Sequence, residues 1–139
     1  MKKNNKGFTL VELIVVLVIL AILAAILVPA LLGWIDKARE KSVTTNAEAA
    51  YVATQGLVTE KYGSYADPSK TNIGGEAAVN KLADIQESFS ISYSCVSTYK
   101  AASPTKNMYK IKSFTYTPKK GTKKATWTNT TGEWTVVDK

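Results

Sequence analysis

A chain of 139 residues with a formal net charge of +7 has room for one modest domain. It contains no histidine and one cysteine, Cys95. These counts exclude His-based acid–base catalysis, Ser-His and Cys-His dyads, Cys-cluster zinc sites and any intrachain disulfide, so neither an enzyme nor a cofactor or metal site is expected.

Lys2, Lys3 and Lys6 open the chain, and from Leu13 to Ile35 there is no charged residue. That run is long enough for a membrane helix of about 20 residues, disturbed only by Pro29 and Gly33. The basic start places the N-terminus in the cytoplasm and the rest of the chain outside. A secretory signal peptide shares a basic start and an apolar core. Here, however, the core is long, Glu12 stands at its head, and the nearest approach to an Ala-x-Ala site is Val28-Pro29-Ala30. A carboxylate in hydrocarbon is costly and usually persists because something uses it. The plain alternative is a Glu12 that snorkels to the cytoplasmic headgroups one turn away.

The mixed-charge stretch Asp36 to Lys41 leads out of the apolar run, and the helix is expected to continue to Tyr62. Val43, Ala47, Ala50, Thr54 and Leu57 recur at helical spacing, with Gly56 a weak point costing about 1 kcal/mol relative to alanine. Gly63 is the expected cap, and Pro68 bars continuation. A second helix is predicted from Gly75 to Ser88 on the spacing of Ala78, Val79, Leu82 and Ile85.

Beyond Ser88 the period changes to two. Phe89, Ile91, Tyr93 and Cys95 alternate with serines, as in a half-buried strand with Cys95 inward, either as a small hydrophobe or as a reactive or intermolecular thiol. A strand from Met108 to Tyr116 switches parity between Ile111 and Phe114, which predicts a bulge near Lys112-Ser113. After a turn at Pro118 to Gly121, Ala125 and Trp127 mark a third strand. Asn129 to Gly132 makes a hairpin turn, in preference to a glycosylation site, and Trp134 and Val136 mark a fourth strand. The expected fold is α+β: a long N-terminal helix packs by its second half on an antiparallel sheet of about four strands.

Charge is unevenly spread. Asp36 to Cys95 carries six basic and eight acidic residues, whereas Val96 to Lys139 carries nine lysines against Glu133 and Asp138. Lys119, Lys120, Lys123 and Lys124 are the densest part and a candidate patch for DNA or an anionic host surface. Two readings compete: a solvated face that protects strand edges, and a subunit contact with the acids of the preceding segment.

The stretch Lys6-Gly7-Phe8-Thr9-Leu10-Val11-Glu12-Leu13-Ile14-Val15-Val16 closely resembles the prepilin signature of type IV pilins and of the related pseudopilins of type II secretion. It combines a short basic leader, a glycine, a phenylalanine after it, a glutamate four residues on, and Pro29 where the family commonly has proline. The likeness covers about a quarter of the chain, and the helix-then-sheet order extends it at the level of architecture. It implies that residues 1–7 are a leader removed by a membrane prepilin peptidase between Gly7 and Phe8. The new Phe8 amine is then N-methylated, residues 8–35 stay in the cytoplasmic membrane, and 36–139 form an extracellular head.

The resemblance also pairs Glu12 with the Phe8 amine of a neighbouring subunit in a homopolymeric filament. A pair within one chain is open too, since Phe8 and Glu12 are one helical turn apart. Apolar residues on every side of the helix suit a filament core, but lipid already hides that surface, so burial cannot drive extraction. The family supplies an assembly ATPase acting through a membrane platform protein; this chain has no Walker-type loop and is the substrate of such a machine. Pro29, with Gly33 beyond it, marks where related helices unwind or kink on packing. The expected role is a pilus subunit for adhesion, motility or surface association. The alternatives are a pseudopilin of a secretion or DNA-uptake apparatus, or a single-pass anchored or secreted binding module. Many Gram-negative pilins staple a C-terminal loop with a disulfide; this chain does not, so receptor-binding residues are not carried over.

Overall fold

The computed structural model describes residues 7–139; Lys2, Lys3, Lys6 and the rest of the expected leader before Gly7 lie outside the described residues. The elements run α1 (Leu10–Gly63), α2 (Gly75–Ala83), β1 (Phe89–Cys95), a 3-10 turn (Lys106–Tyr109), β2 (Ile111–Pro118), β3 (Lys123–Thr128) and β4 (Trp134–Asp138). The expected α+β architecture is the one observed. The chain divides into two compact units, one ending at Ala38 and one spanning Arg39–Lys139. The division falls three residues beyond the end of the apolar run, where residues of α1 begin to meet the sheet.

In the first unit, α1 is apolar around its whole circumference and long enough to cross a membrane. Leu13, Val16, Leu20, Leu23 and Leu27 are all about half exposed or more. Among the described residues no side of this segment is buried, as expected of a segment meant for lipid or for other helices. The helix passes through Pro29, whose ring lacks the N–H that would bond the carbonyl of Ala25.

In the second unit, Ala47, Ala50, Ala53, Thr54 and Val58 form the buried stripe of α1. Three of these five residues are alanines. The buried Thr54 hydroxyl is satisfied by donating to the Ala50 carbonyl at 2.7 Å. Across from the stripe lie Phe89, Ile91, Ile111, Phe114, Tyr116 and Ala125, with Val79 and Ile85 joining from the α2 region. Tyr51 is the main aromatic hinge of this core, its ring 4.5 Å from that of Trp127 and 5.7 Å from that of Phe114.

The four strands are antiparallel in the order β1-β2-β3-β4, each joined to the next. Ser94 faces Ser113 and Cys95 faces Ile111, so Lys112 is the extra residue of a bulge. This is where the parity switch predicted it. Gly121 (φ 90°) and Gly132 (φ 69°) take the left-handed conformations that the two hairpin turns require.

Three expectations need correction. The residue in left-handed geometry after α1 is Tyr65 (φ 51°), not Gly63. Its carbonyl accepts the Tyr99 hydroxyl at 2.7 Å, and its ring packs on Tyr62, contacts that offset the strain. The second helix stops at Ala83 rather than Ser88, because Asp84 turns left-handed (φ 50°) and the Asn80 side chain takes the Ile85 N–H at 2.9 Å. Ile85 is buried past the helix end, and this is why its spacing looked helical. Finally, β2 starts at Ile111; Met108 and Tyr109 are buried but belong to the 3-10 turn.

Candidate processing and assembly site

Helix α1 begins at Leu10, which makes Thr9 its N-cap and Glu12 its third helical residue. The Thr9 backbone N–H and hydroxyl both donate to Glu12 Oε2 at 2.8 Å, and the Glu12 N–H donates to Thr9 Oγ1 at 3.2 Å. This is a reciprocal capping box: two N–H groups that a helix start leaves orphaned are satisfied by each other's side chains. The carboxylate also sits where the helix dipole favours a negative charge. Glu12 therefore has a partner within its own chain before any second subunit is present.

The signal of this cap is present in the sequence as Thr9-x-x-Glu12 before an apolar run, beside the Glu12 signature. The box uses the Phe8–Thr9 amide, so a cut between Gly7 and Phe8 leaves it intact. Phe8 is 88% exposed, next to this cap. At Gly7 a Cβ would meet nothing within 4 Å among the described residues. Among the described residues, packing thus gives no reason for glycine there. Gly33 is equally open, so crowding by described residues holds neither glycine.

At the other end of the apolar run, Trp34 is 72% exposed and Lys37 Nζ lies 5.7 Å from its ring centroid. A tryptophan beside a lysine at the close of an apolar segment is the composition of a membrane–water boundary.

The four candidate lysines do not share one cleft. Lys119 lines a hollow with Glu76 and Glu87, Lys120 and Lys123 line another beside Arg39, and Lys124 lies opposite Val137 in the β3–β4 ladder. Lys123 also pairs with Glu40 at 2.7 Å. Turn geometry separates residues that are adjacent in sequence.

Two further polar contacts hold the head without a disulfide. Glu87 Oε1 accepts from Asn46 Nδ2 and from the Tyr116 hydroxyl, each at 2.8 Å, joining α1 to β2. Burial, together with the Glu87 contact, pushes the Tyr116 phenol well above its usual range. Gln55 donates to the Tyr109 carbonyl at 2.8 Å and accepts from the Ile111 N–H at 3.0 Å. Cys95 is half-buried, and burial, helped by Asp67, raises its thiol pKa. Such a thiol is a weak nucleophile. No group of three or more metal-ligating side chains occurs among the described residues.

An apolar, membrane-length helix with a capped carboxylate at its start, followed by a helix-on-sheet head, defines a pilin-like α+β architecture. The prokaryotic N-terminal methylation motif matches residues 2–28. The chain thus carries the prepilin signature and is type IV pilin-like. Comparisons with curated proteins and with solved structures gave no match.

Proposed function

We propose that this protein is a structural subunit of a type IV pilus, stored in the cytoplasmic membrane after leader removal and assembled into an extracellular filament. The observation that carries the reading is the methylation motif at residues 2–28, which runs into a helix starting at Leu10 whose apolar surface is exposed among the described residues. In this reading a prepilin peptidase cuts between Gly7 and Phe8, and the Phe8 amine is methylated. The openness around Gly7 among the described residues supports it: a glycine there suits an extended backbone lying against a protease.

Glu12 then has two successive partners. In the stored subunit the Thr9 cap holds the carboxylate. In the filament the Phe8 amine of a neighbour approaches the same group and sets the axial stagger, while Pro29 and Gly33 let the helix adjust its packing. An assembly ATPase working through a platform protein provides the extraction that burial cannot. Adhesion, motility or surface association is the proposed use; DNA or an anionic host surface is a proposed ligand of the exposed lysines.

Mass spectrometry of the N-terminus of sheared surface filaments tests the reading. A species beginning with methylated Phe8 is expected, and one beginning after Ala30 would refute it. Abundance in the sheared fraction assigns a pilus subunit, whereas retention at trace level in the membrane assigns a pseudopilin. In a strain carrying only Glu12→Ala, leader cleavage is expected to persist while filaments are lost; normal filaments would remove the intersubunit role of Glu12.

A further inference from the structure

The head carries a cleft of about 350 Å³ between the start of its share of α1 and the β2–β3 turn. Arg39 and Ser42 form one wall, Lys120, Thr122 and Lys123 the other, and Glu87 lies at its edge. We propose that this cleft holds the phosphate of an anionic lipid in the outer face of the membrane that stores the subunit. The proposal rests on the membrane-stored reading above.

Three observations converge. The first is chemical: three cationic side chains and two hydroxyls line one small concavity, the donor set that a phosphate diester accepts. Glu40 pairs with the cleft's own Lys123 at 2.7 Å, so that lysine lines the cleft from an ion pair already formed, while Glu87 Oε1 takes the Asn46 amide and the Tyr116 hydroxyl. The second is covalent: Arg39 follows Ile35, the last residue of the apolar run, by four positions. Four residues reach at most about 14 Å in any conformation, so Arg39 remains within headgroup range however the head is turned. The third is the Trp34–Lys37 contact, which marks the water boundary just before Arg39. Tethering keeps the cleft permanently near a dense layer of phosphates, an effective concentration that no dilute soluble anion matches.

One consequence is functional. A lipid held by Arg39 and Lys120 steadies the head of the stored subunit and must be released on extraction, when the Arg39 face leaves the membrane surface.

The test uses the full chain in nanodiscs of equal phosphatidylglycerol and phosphatidylcholine, released for native mass spectrometry. Expected is one retained phosphatidylglycerol per chain, with retention falling about fivefold for each of Arg39→Gln and Lys120→Gln. Lys119→Gln and Lys124→Gln should retain it unchanged. Equal retention of both lipids, or phosphatidylglycerol retention indifferent to Arg39 and Lys120, would overturn the proposal. So would an adduct of inorganic phosphate, added to phosphatidylcholine-only discs, with no enrichment of phosphatidylglycerol in the mixed discs. Failure of the chain to enter discs at all would refute the membrane-stored reading instead, so the two failures are distinguishable.

Discussion

Replacing Gln55 tests whether a head without a disulfide is held by a side-chain clasp. Its amide bonds two backbone groups at the start of β2, the Tyr109 carbonyl and the Ile111 N–H. Those residues are 4% and 0% exposed, so water does not readily replace the lost partner. An unsatisfied buried backbone group costs about 1–3 kcal/mol, and partial hydration of the space left by the side chain brings the Gln55→Ala total to about 2–4 kcal/mol. With a urea slope of roughly 1.5 kcal/mol/M, the midpoint should fall by about 1.3–2.7 M. Near-UV circular dichroism of the full chain in a mild detergent reports the loss of head packing through Trp127 and Trp134. Gln55→Met, which keeps the volume but not the bonds, should cost nearly as much. A loss below about 0.5 kcal/mol for Gln55→Ala, or a Gln55→Met variant close to the parent, would refute the clasp.

Phe114 is fully buried beneath Tyr51 and Trp134, so Phe114→Ala should cost about 3–5 kcal/mol in the same urea titration. Partial burial works to raise the Glu76 pKa. Hydrogen bonds from Lys70 and from the backbone N–H groups of Glu76 and Ile91, with the Lys70 charge, outweigh that and hold it below the usual 4.5. Because the folded value is depressed, the unfolded chain binds more protons just below the ordinary carboxylate pKa. The contribution of Glu76 should be complete at neutral pH, fade as pH falls below that value, and vanish once the folded carboxyl is protonated. The stability gap between the parent and Glu76→Gln, followed against pH, should therefore close on acidification; a constant gap would contradict it. Asp67→Asn should lower the pH at which Cys95 reacts with iodoacetamide, since burial and then the Asp67 charge raise the thiol. Thr9→Ala should increase hydrogen exchange of the Glu12 and Leu13 amides in micelles by about five- to tenfold, the effect of losing an N-cap.

The sequence by itself determined whatever depends on local period and composition. The uninterrupted apolar run specified α1 through the anchor, the serine alternation specified β1, and the parity switch located the bulge at Lys112, because each is written into neighbouring side chains. The methylation motif at residues 2–28 is equally local. Tertiary structure decided where elements stop and which distant groups meet. Ile85 reads as helical in sequence but is buried beyond a helix that Asn80 and Asp84 end, and Tyr65 takes the left-handed position because Tyr99 and Tyr62 support it. Contacts such as Gln55 to Ile111, or Glu87 to Asn46, join residues dozens of positions apart, and no local pattern encodes that distance. The lysine quartet shows the same limit: close together in the chain, it is parted by a turn, and Lys120 and Lys123 line one hollow with Arg39 while Lys119 lines another with Glu76. Proximity along the chain sets secondary structure; the direction in which a side chain leaves a folded backbone sets its partner.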